Sequence, residues 1–144
     1  MEPLKRQAHY YETDKMGIIH HSNYIRWFEE ARTSFLNEAG FGYKEMENQG
    51  ILIPVLSISC EYKSPVRFGD TVYIYTELTA FDGLKFTVNY HVIDAETLTL
   101  KVVGSSKHCF LNKDFQPVRL KRNYPAIYEL FNRLLTQPDN DPTP

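Results

Sequence analysis

The chain has 144 residues, 42% of them hydrophobic and 14% aromatic, and a net charge of -2. That length suits one domain with a core of its own, and the enrichment in Tyr and Phe favours sheet over a helix bundle. So nearly neutral a chain has no basic field for nucleic acid or an anionic membrane, and its one basic cluster, Arg119, Lys121 and Arg122, is short enough to be a solvated face.

Other classes fall away on local grounds. Cys60 and Cys109 are far apart, fit no C-x-x-C spacing and read as two free buried thiols in a reducing compartment. Residues 1–6 lead into no apolar signal-like segment, and no apolar run nears the ~18 residues that span a bilayer. The expectation is a soluble cytoplasmic protein without a membrane span.

In chain order, residues 4–12 read as a first strand and 13–17 as a loop. The helix that follows is the plainest element. Tyr24, Trp27, Phe28, Ala31, Phe35, Leu36 and Ala39 recur at the helical period and make one apolar face, with Arg26, Glu29, Glu30, Thr33, Asn37 and Glu38 on the others. Ser22 or Asn23 is placed to cap its start, and Gly40 to end it in the left-handed conformation.

A short helix is expected over 43–50, after which the period changes to two. Leu56, Ile58, Cys60 and Tyr62 share a face, as do Val72, Ile74, Leu78 and Ala80; the turn signal Asp82-Gly83 separates these from Phe86, Val88, Tyr90 and Val92. A last strand runs from about Leu98 to Leu111, Asn112-Lys113-Asp114 turns the chain, and 124–135 reads as a terminal helix. The domain is placed at 1–136, with 137–144, rich in Pro, Asp and Asn, as a disordered tail. A strand, a long helix and a run of antiparallel strands make an α+β fold in which one sheet wraps the helix. The helix covers one sheet face only, and the uncovered face and edges predict an oligomer.

The stretch Tyr11-Glu12-Thr13-Asp14-Lys15-Met16-Gly17-Ile18-Ile19-His20-His21-Ser22-Asn23-Tyr24 gathers more reactive side chains than any other and leads straight into that helix. On its own, an Asp in a Thr-Asp-x-x-Gly turn is a turn former, since Asp bonds nearby backbone N–H groups and Gly supplies positive φ. His20 and His21 share no helical face and no fixed ligand spacing surrounds them, so no metal is expected. Tyr24 reads equally as helix packing and as a pocket wall, and Asn23 as a cap. His91 and His108 fall in strands and read as structural or surface residues.

This stretch resembles the signature of the hotdog-fold acyl-CoA thioesterases of the 4-hydroxybenzoyl-CoA thioesterase type, which include bacterial thioesterases associated with the Tol-Pal system. Asp14, Gly17, Ile18, Ile19, His21 and Tyr24 fit its order of an Asp, two residues, Gly, two apolar residues and a His or aromatic pair leading to Tyr. Trp27-Phe28-Glu29-Glu30-Ala31-Arg32 and Pro65-Val66-Arg67-Phe68-Gly69-Asp70 are also similar, and the resemblance covers about residues 4–120. It implies a curved antiparallel sheet wrapped around a long central helix. It implies Asp14 as the catalytic carboxylate and the His21 backbone N–H, at the helix start, as the group that polarises the thioester carbonyl. Gly17 and Tyr24 would border the substrate, and Arg119 and Lys121 are late basic residues that could meet phosphates of CoA. The implied substrate is an acyl-CoA or an acyl carrier protein thioester, bound between subunits of a homodimer or homotetramer, with no cofactor.

The chemistry is coherent with those parts. A thioester carbonyl carbon needs little activation, but its developing oxyanion needs stabilising, and free N–H groups at a helix start provide that. With a reference pKa of about 4, a carboxylate beside it is ionised and can attack the carbon, giving a mixed anhydride, or draw a proton from water. Both roles stay open. A hydratase of the same fold would use a His with Glu or Asp in a different local motif. A non-catalytic acyl-CoA-binding or regulatory module on this scaffold would be marked by loss of the Asp, and Asp14 is present.

Overall fold

The computed structural model describes residues 2–135, so the expected tail over 137–144 lies outside the described residues. β1 (Leu4–Gln7) is followed by one 3-10 turn at Tyr10–Glu12, then α1 (Ser22–Glu38) and the short α2 (Tyr43–Asn48). Four strands come next, β2 (Val55–Tyr62), β3 (Thr71–Phe81), β4 (Lys85–Asp94) and β5 (Leu100–Cys109), and then α3 (Leu120–Asn123) and α4 (Pro125–Leu134). The strands form one antiparallel sheet in the order β1-β3-β4-β5-β2.

The 17 residues of α1 give it a length of about 25 Å. Its buried side is Tyr24, Trp27, Phe28, Ala31, Arg32 and Leu36, the apolar face read from the sequence with one arginine in it. That side lies on the inner face of the sheet, where Val72, Ile74 and Leu78 of β3 and Phe86, Val88, Tyr90 and Val92 of β4 are buried. Phe28 stacks on Tyr90 with ring centroids 4.5 Å apart and planes 7° apart. Gly40, at φ 94°, closes the helix as expected. α4 covers the far end of the same face: Phe131 sits with its ring centroid 5.2 to 5.3 Å from Phe81, Phe86 and Phe110.

Several expectations change in detail. The first strand stops at Gln7 instead of reaching residue 12, because Ala8 pairs with the 69–70 loop (its N–H to Asp70 O at 2.8 Å, its C=O from Gly69 N–H at 3.1 Å) and the chain then coils. Ala80 is exposed and Phe81 takes the inward position, because a register shift between Leu78 and Ala80 turns the strand by one residue. The alternation in β2 survives only in the middle. Ile58 and Cys60 are half-buried, while Leu56 and Tyr62, each about half exposed, belong to an edge strand that nothing among the described residues covers. The last strand is confined to Leu100–Cys109, since Leu98 adopts φ 61° in the preceding turn.

Arg32 begins a buried polar chain between helix and sheet. Its Nη1 donates to Tyr90 Oη at 2.9 Å and its Nε to Tyr43 Oη; Tyr90 Oη lies 2.6 Å from Ser106 Oγ, which lies 2.7 Å from His108 Nε2. Burial disfavours the guanidinium charge, but the Tyr90 and Tyr43 hydroxyls outweigh it and hold Arg32 charged. His108 is fully buried, and desolvation together with the Arg32 charge pushes its pKa down to about 4.

This has a consequence for stability. Below pH 6.5 the unfolded chain takes a proton on His108 that the folded protein refuses until about pH 4, so stability is lost as pH falls through that window. From pH 7.5 to 4.5 the loss from this residue is about 2–3 kcal/mol. Urea unfolding at the two pH values should show that much more acid sensitivity in the wild type than in His108→Gln. Equal pH dependence of the two proteins would contradict it.

Candidate active site

The stretch expected to be a loop is a tight hairpin. Asp14 N–H donates to Ile18 O at 2.8 Å, His20 N–H to Glu12 O at 2.9 Å, and Thr13 pairs with Ile19. Gly17, at φ 76°, closes the turn with its N–H on Asp14 O at 3.1 Å, a conformation that suits a residue without Cβ. A second bridge, Ile18 with Arg67, and the Ile19 N–H to Val66 O bond at 2.8 Å fasten the hairpin to the segment after β2. The chain thus doubles back immediately before α1, which brings Asp14 to the start of that helix.

Asp14 is half-buried. Its Oδ1 accepts the Met16 N–H at 2.8 Å, the local bond of a turn-forming Asp, and no bond engages Oδ2 among the described residues. His21 is the N-cap of α1, and no hydrogen-bond acceptor for its backbone N–H is found among the described residues. The expected cap by Ser22 or Asn23 does not form. His20 Nδ1 instead accepts the Ser22 N–H at 3.2 Å and lies 2.8 Å from Ser22 Oγ, while the Asn23 amide donates to Glu12 O at 2.9 Å. The His20 and His21 rings stack at 4.2 Å. No group of three or more His, Cys, Asp or Glu side chains suited to a metal is found among the described residues.

Asp14, His21 and Tyr24 line one cavity of about 430 Å³, with Met16, Ile18 and Ile19 from the hairpin and Tyr62, Lys63, Ser64 and Pro65 from the end of β2 and beyond. Its walls are largely apolar and its polar groups few, the usual make-up of a small-molecule site. Tyr24 is buried, and its hydroxyl accepts the Val66 N–H at 3.4 Å. Desolvation pushes its pKa up, as does the Asp14 charge, so the phenol stays protonated. Tyr62, pushed up to about 12 by desolvation of its hydroxyl and by the Cys60 thiol, stays neutral too. Gly17 shapes the turn without lining the cavity. Arg119 and Lys121 are exposed on the segment from the α3 N-cap onward, with Lys121 Nζ 5.8 Å from the Tyr128 ring centroid, and line no part of this cavity.

The far wall, Tyr62 to Pro65, lies outside the stretch that the sequence singles out for the site. Its signals there are the strand face that ends at Tyr62 and the similar segment that starts at Pro65, and neither points to the cavity. Glu12, within that stretch, carries no signal of its own in the sequence. It is 3% exposed and bound on every side: Arg6 at 2.9 and 3.1 Å, the Trp27 indole N–H at 2.8 Å and the His9 N–H at 2.9 Å. Burial pushes the Glu12 pKa up, but these donors and the Arg6 charge outweigh that and hold it below the usual carboxylate range.

The fold and this site together define a class. Residues 9–123 match the family described as the thioesterase-like superfamily, and the chain belongs to it. Among its relatives, Bacillus subtilis YneP, which carries a provisional name as an acyl-CoA thioesterase, is 36% identical over 88% of this chain and 92% of its own. The acyl-CoA thioester hydrolase YbgC of Escherichia coli is 28% identical over 65% of this chain and 70% of its own. A solved structure, a DHNA-CoA thioesterase from Staphylococcus aureus, is 34% identical and superposes with a TM-score of 0.86, covering 92% of this chain and 89% of that one. The α+β architecture, with five antiparallel strands around α1, is the hotdog fold.

Proposed function

We propose that the protein is an acyl-CoA thioesterase of the 4-hydroxybenzoyl-CoA thioesterase type, hydrolysing a thioester to a free carboxylic acid and a thiol. The observation that carries this reading is the pairing in one apolar cavity of the half-buried Asp14, with Oδ2 unengaged, and the open backbone N–H at the start of α1. The thioester carbonyl oxygen points at the His21 N–H, where the helix dipole stabilises the negative charge that develops. Asp14 either adds through Oδ2 to the carbonyl carbon or takes a proton from a water that does. In each route the tetrahedral oxyanion collapses and expels the thiolate, which then picks up a proton. The first route leaves a mixed anhydride that water cleaves, restoring Asp14, and both give the same products. Tyr24, Met16, Ile18, Ile19 and Tyr62 receive the acyl group.

The same reading assigns a second copy of the chain to the uncovered side. The edge strand β2 carries Tyr62 into the cavity wall while Val55 and Leu56 stay exposed, and Tyr10, Tyr11, Met16 and Phe68 form an exposed apolar rim around the hairpin. Arg119 and Lys121 are the cations we assign to the CoA phosphates, at a site shared between copies. The test is thiol release from a panel of aliphatic and aromatic acyl-CoAs and an acyl carrier protein thioester. Stoichiometric thiol and acid from at least one acyl-CoA is expected. Binding of acyl-CoA with no turnover of any thioester would overturn the reading.

A further inference from the structure

Glu12 lies two residues before Asp14, yet it lines a different cavity and has no place in the reaction above. Its side chain is nonetheless the most heavily bonded carboxylate of the hairpin. Oε2 accepts the Trp27 indole N–H and Arg6 Nη2, and Oε1 accepts the His9 N–H and Arg6 Nη1. Its backbone C=O accepts the His20 N–H and the Asn23 amide. Apart from His9, which caps the 3-10 turn that carries Glu12 itself, these donors lie on β1, the hairpin and α1. Arg6 is β1, whose Nε also donates to Glu30 of α1 at 3.0 Å. His20 is the returning arm of the hairpin, and Asn23 and Trp27 are the first two turns of α1.

We propose that Glu12 is the positioning residue of the site: it clamps the base of the Asp14 hairpin to the first two turns of α1 and so sets the distance between the Asp14 carboxylate and the His21 N–H. The proposal rests on the thioesterase reading for its kinetic consequence, but not for its structural one. The clamp is rigid for a physical reason. Trp27 is 0% exposed and its ring is fixed edge-on against Tyr24 at 5.3 Å, so the indole N–H cannot follow a displaced acceptor. Arg6 lies with its guanidinium 5.4 Å from the Trp27 ring centroid, sandwiching the carboxylate's charge partner between two elements. A carboxylate in that place offers four acceptor positions to converging donors, and a shorter or apolar side chain leaves the donors buried and unpaired. Among the described residues Asp14 has no comparable tie of its own to α1, so the angle at which it meets the helix start is inherited from Glu12.

The test compares Glu12→Ala, Glu12→Gln and Trp27→Phe with the wild type, and with Ile127→Ala, a core change on α4 that touches neither the clamp nor the cavity. Two readouts are taken: kcat and KM on the best acyl-CoA, and backbone amide hydrogen exchange. A 1 Å misplacement costs about 10²-fold in rate, so Glu12→Ala should lose about 10²-fold in kcat with KM within about threefold. Glu12→Gln, which keeps an acceptor for the indole, should recover about tenfold of that loss, and Trp27→Phe should fall between. Ile127→Ala should lose thermal stability and keep its kcat. The Asp14 and His20 amides should exchange at least about tenfold faster in Glu12→Ala while the amides of β4 keep their protection. If folded Glu12→Ala retains wild-type kcat, or its hairpin amides exchange as in the wild type, the positioning role is wrong even though the enzyme works. If the wild type hydrolyses no thioester, the functional reading fails instead, and the exchange data alone then decide whether the clamp exists.

Discussion

Asp14→Asn should cut kcat for thioester hydrolysis by about 10²–10⁴-fold, the usual worth of a positioned proton acceptor, and leave KM within a few fold. The substitution is conservative where the fold is concerned. The amide oxygen can still accept the Met16 N–H that Asp14 Oδ1 holds at 2.8 Å, and Gly17 still closes the turn at φ 76°. What is lost is the charge and basicity of the unengaged oxygen, which in the proposed mechanism serve only the reaction. Acyl-CoA binding is therefore expected to persist, because the apolar walls and the helix start are untouched. Steady-state thiol release measures the loss, and Asp14→Asn turning over at the wild-type rate would remove Asp14 from the mechanism. A single turnover of wild type in ¹⁸O water tests for the anhydride. Label in the Asp14 carboxylate, with an Asp14 oxygen carried into the first-turnover acid, shows that Asp14 attacks the carbon and that water opens the anhydride at the Asp14 carbonyl. Label in the acid alone arises both when Asp14 takes a proton from water and when water opens the anhydride at the acyl carbonyl, and rapid-quench detection of acylated Asp14 then separates these two.

Much of this site was legible in the sequence because it is local. Asp14, Gly17, His21 and Tyr24 lie within one short stretch, and the helical period of Tyr24, Trp27, Phe28, Ala31 and Leu36 fixes where that stretch ends and which side of α1 is buried. The sheet was legible for the same reason: Phe86, Val88, Tyr90 and Val92 alternate cleanly and are all buried. What stayed hidden depends on distant partners. Glu12 looks like any strand-end carboxylate until Arg6 and Trp27 close on it from two other elements. Arg32 sits on the apolar face of α1 because Tyr90 and Tyr43 receive it, and nothing within the helix announces that. The inversion of Ala80 and Phe81 arises from one extra residue in β3. The far wall of the cavity, Tyr62 to Pro65, comes from a strand that reaches the site only through the sheet's order.

Gly104→Ala should destabilise the fold by about 3 kcal/mol or more, at the upper end of what overpacking a core costs, although the exchange of Gly for Ala within a strand ordinarily stabilises by roughly 0.5–1 kcal/mol. The reversal follows from where Gly104 sits. It opposes Tyr90 in the β4–β5 register, and Phe28 of α1 lies flat on Tyr90 and over the glycine. A Cβ there would come within 2.5 Å of Phe28 Cζ and 3.0 Å of Ser59 O, distances at which something must move. Phe28 is 0% exposed and pinned by the Tyr90 ring, and Ser59 O belongs to the neighbouring strand β2, so neither yields cheaply. Backbone strain is not the issue, since Gly104 is not among the glycines with positive φ; only space is. For a domain of this size the loss corresponds to a fall in Tm of about 10 °C, readable by thermal or urea unfolding. Phe28→Leu, which draws the offending atoms back, should lose stability alone but lose less when combined with Gly104→Ala than the two single losses added together, the signature of a shared contact. A Gly104→Ala protein as stable as wild type would mean that α1 does not rest on β5 through Phe28. The long helix whose first turn forms half of the proposed site would then be seated on the sheet in some other way.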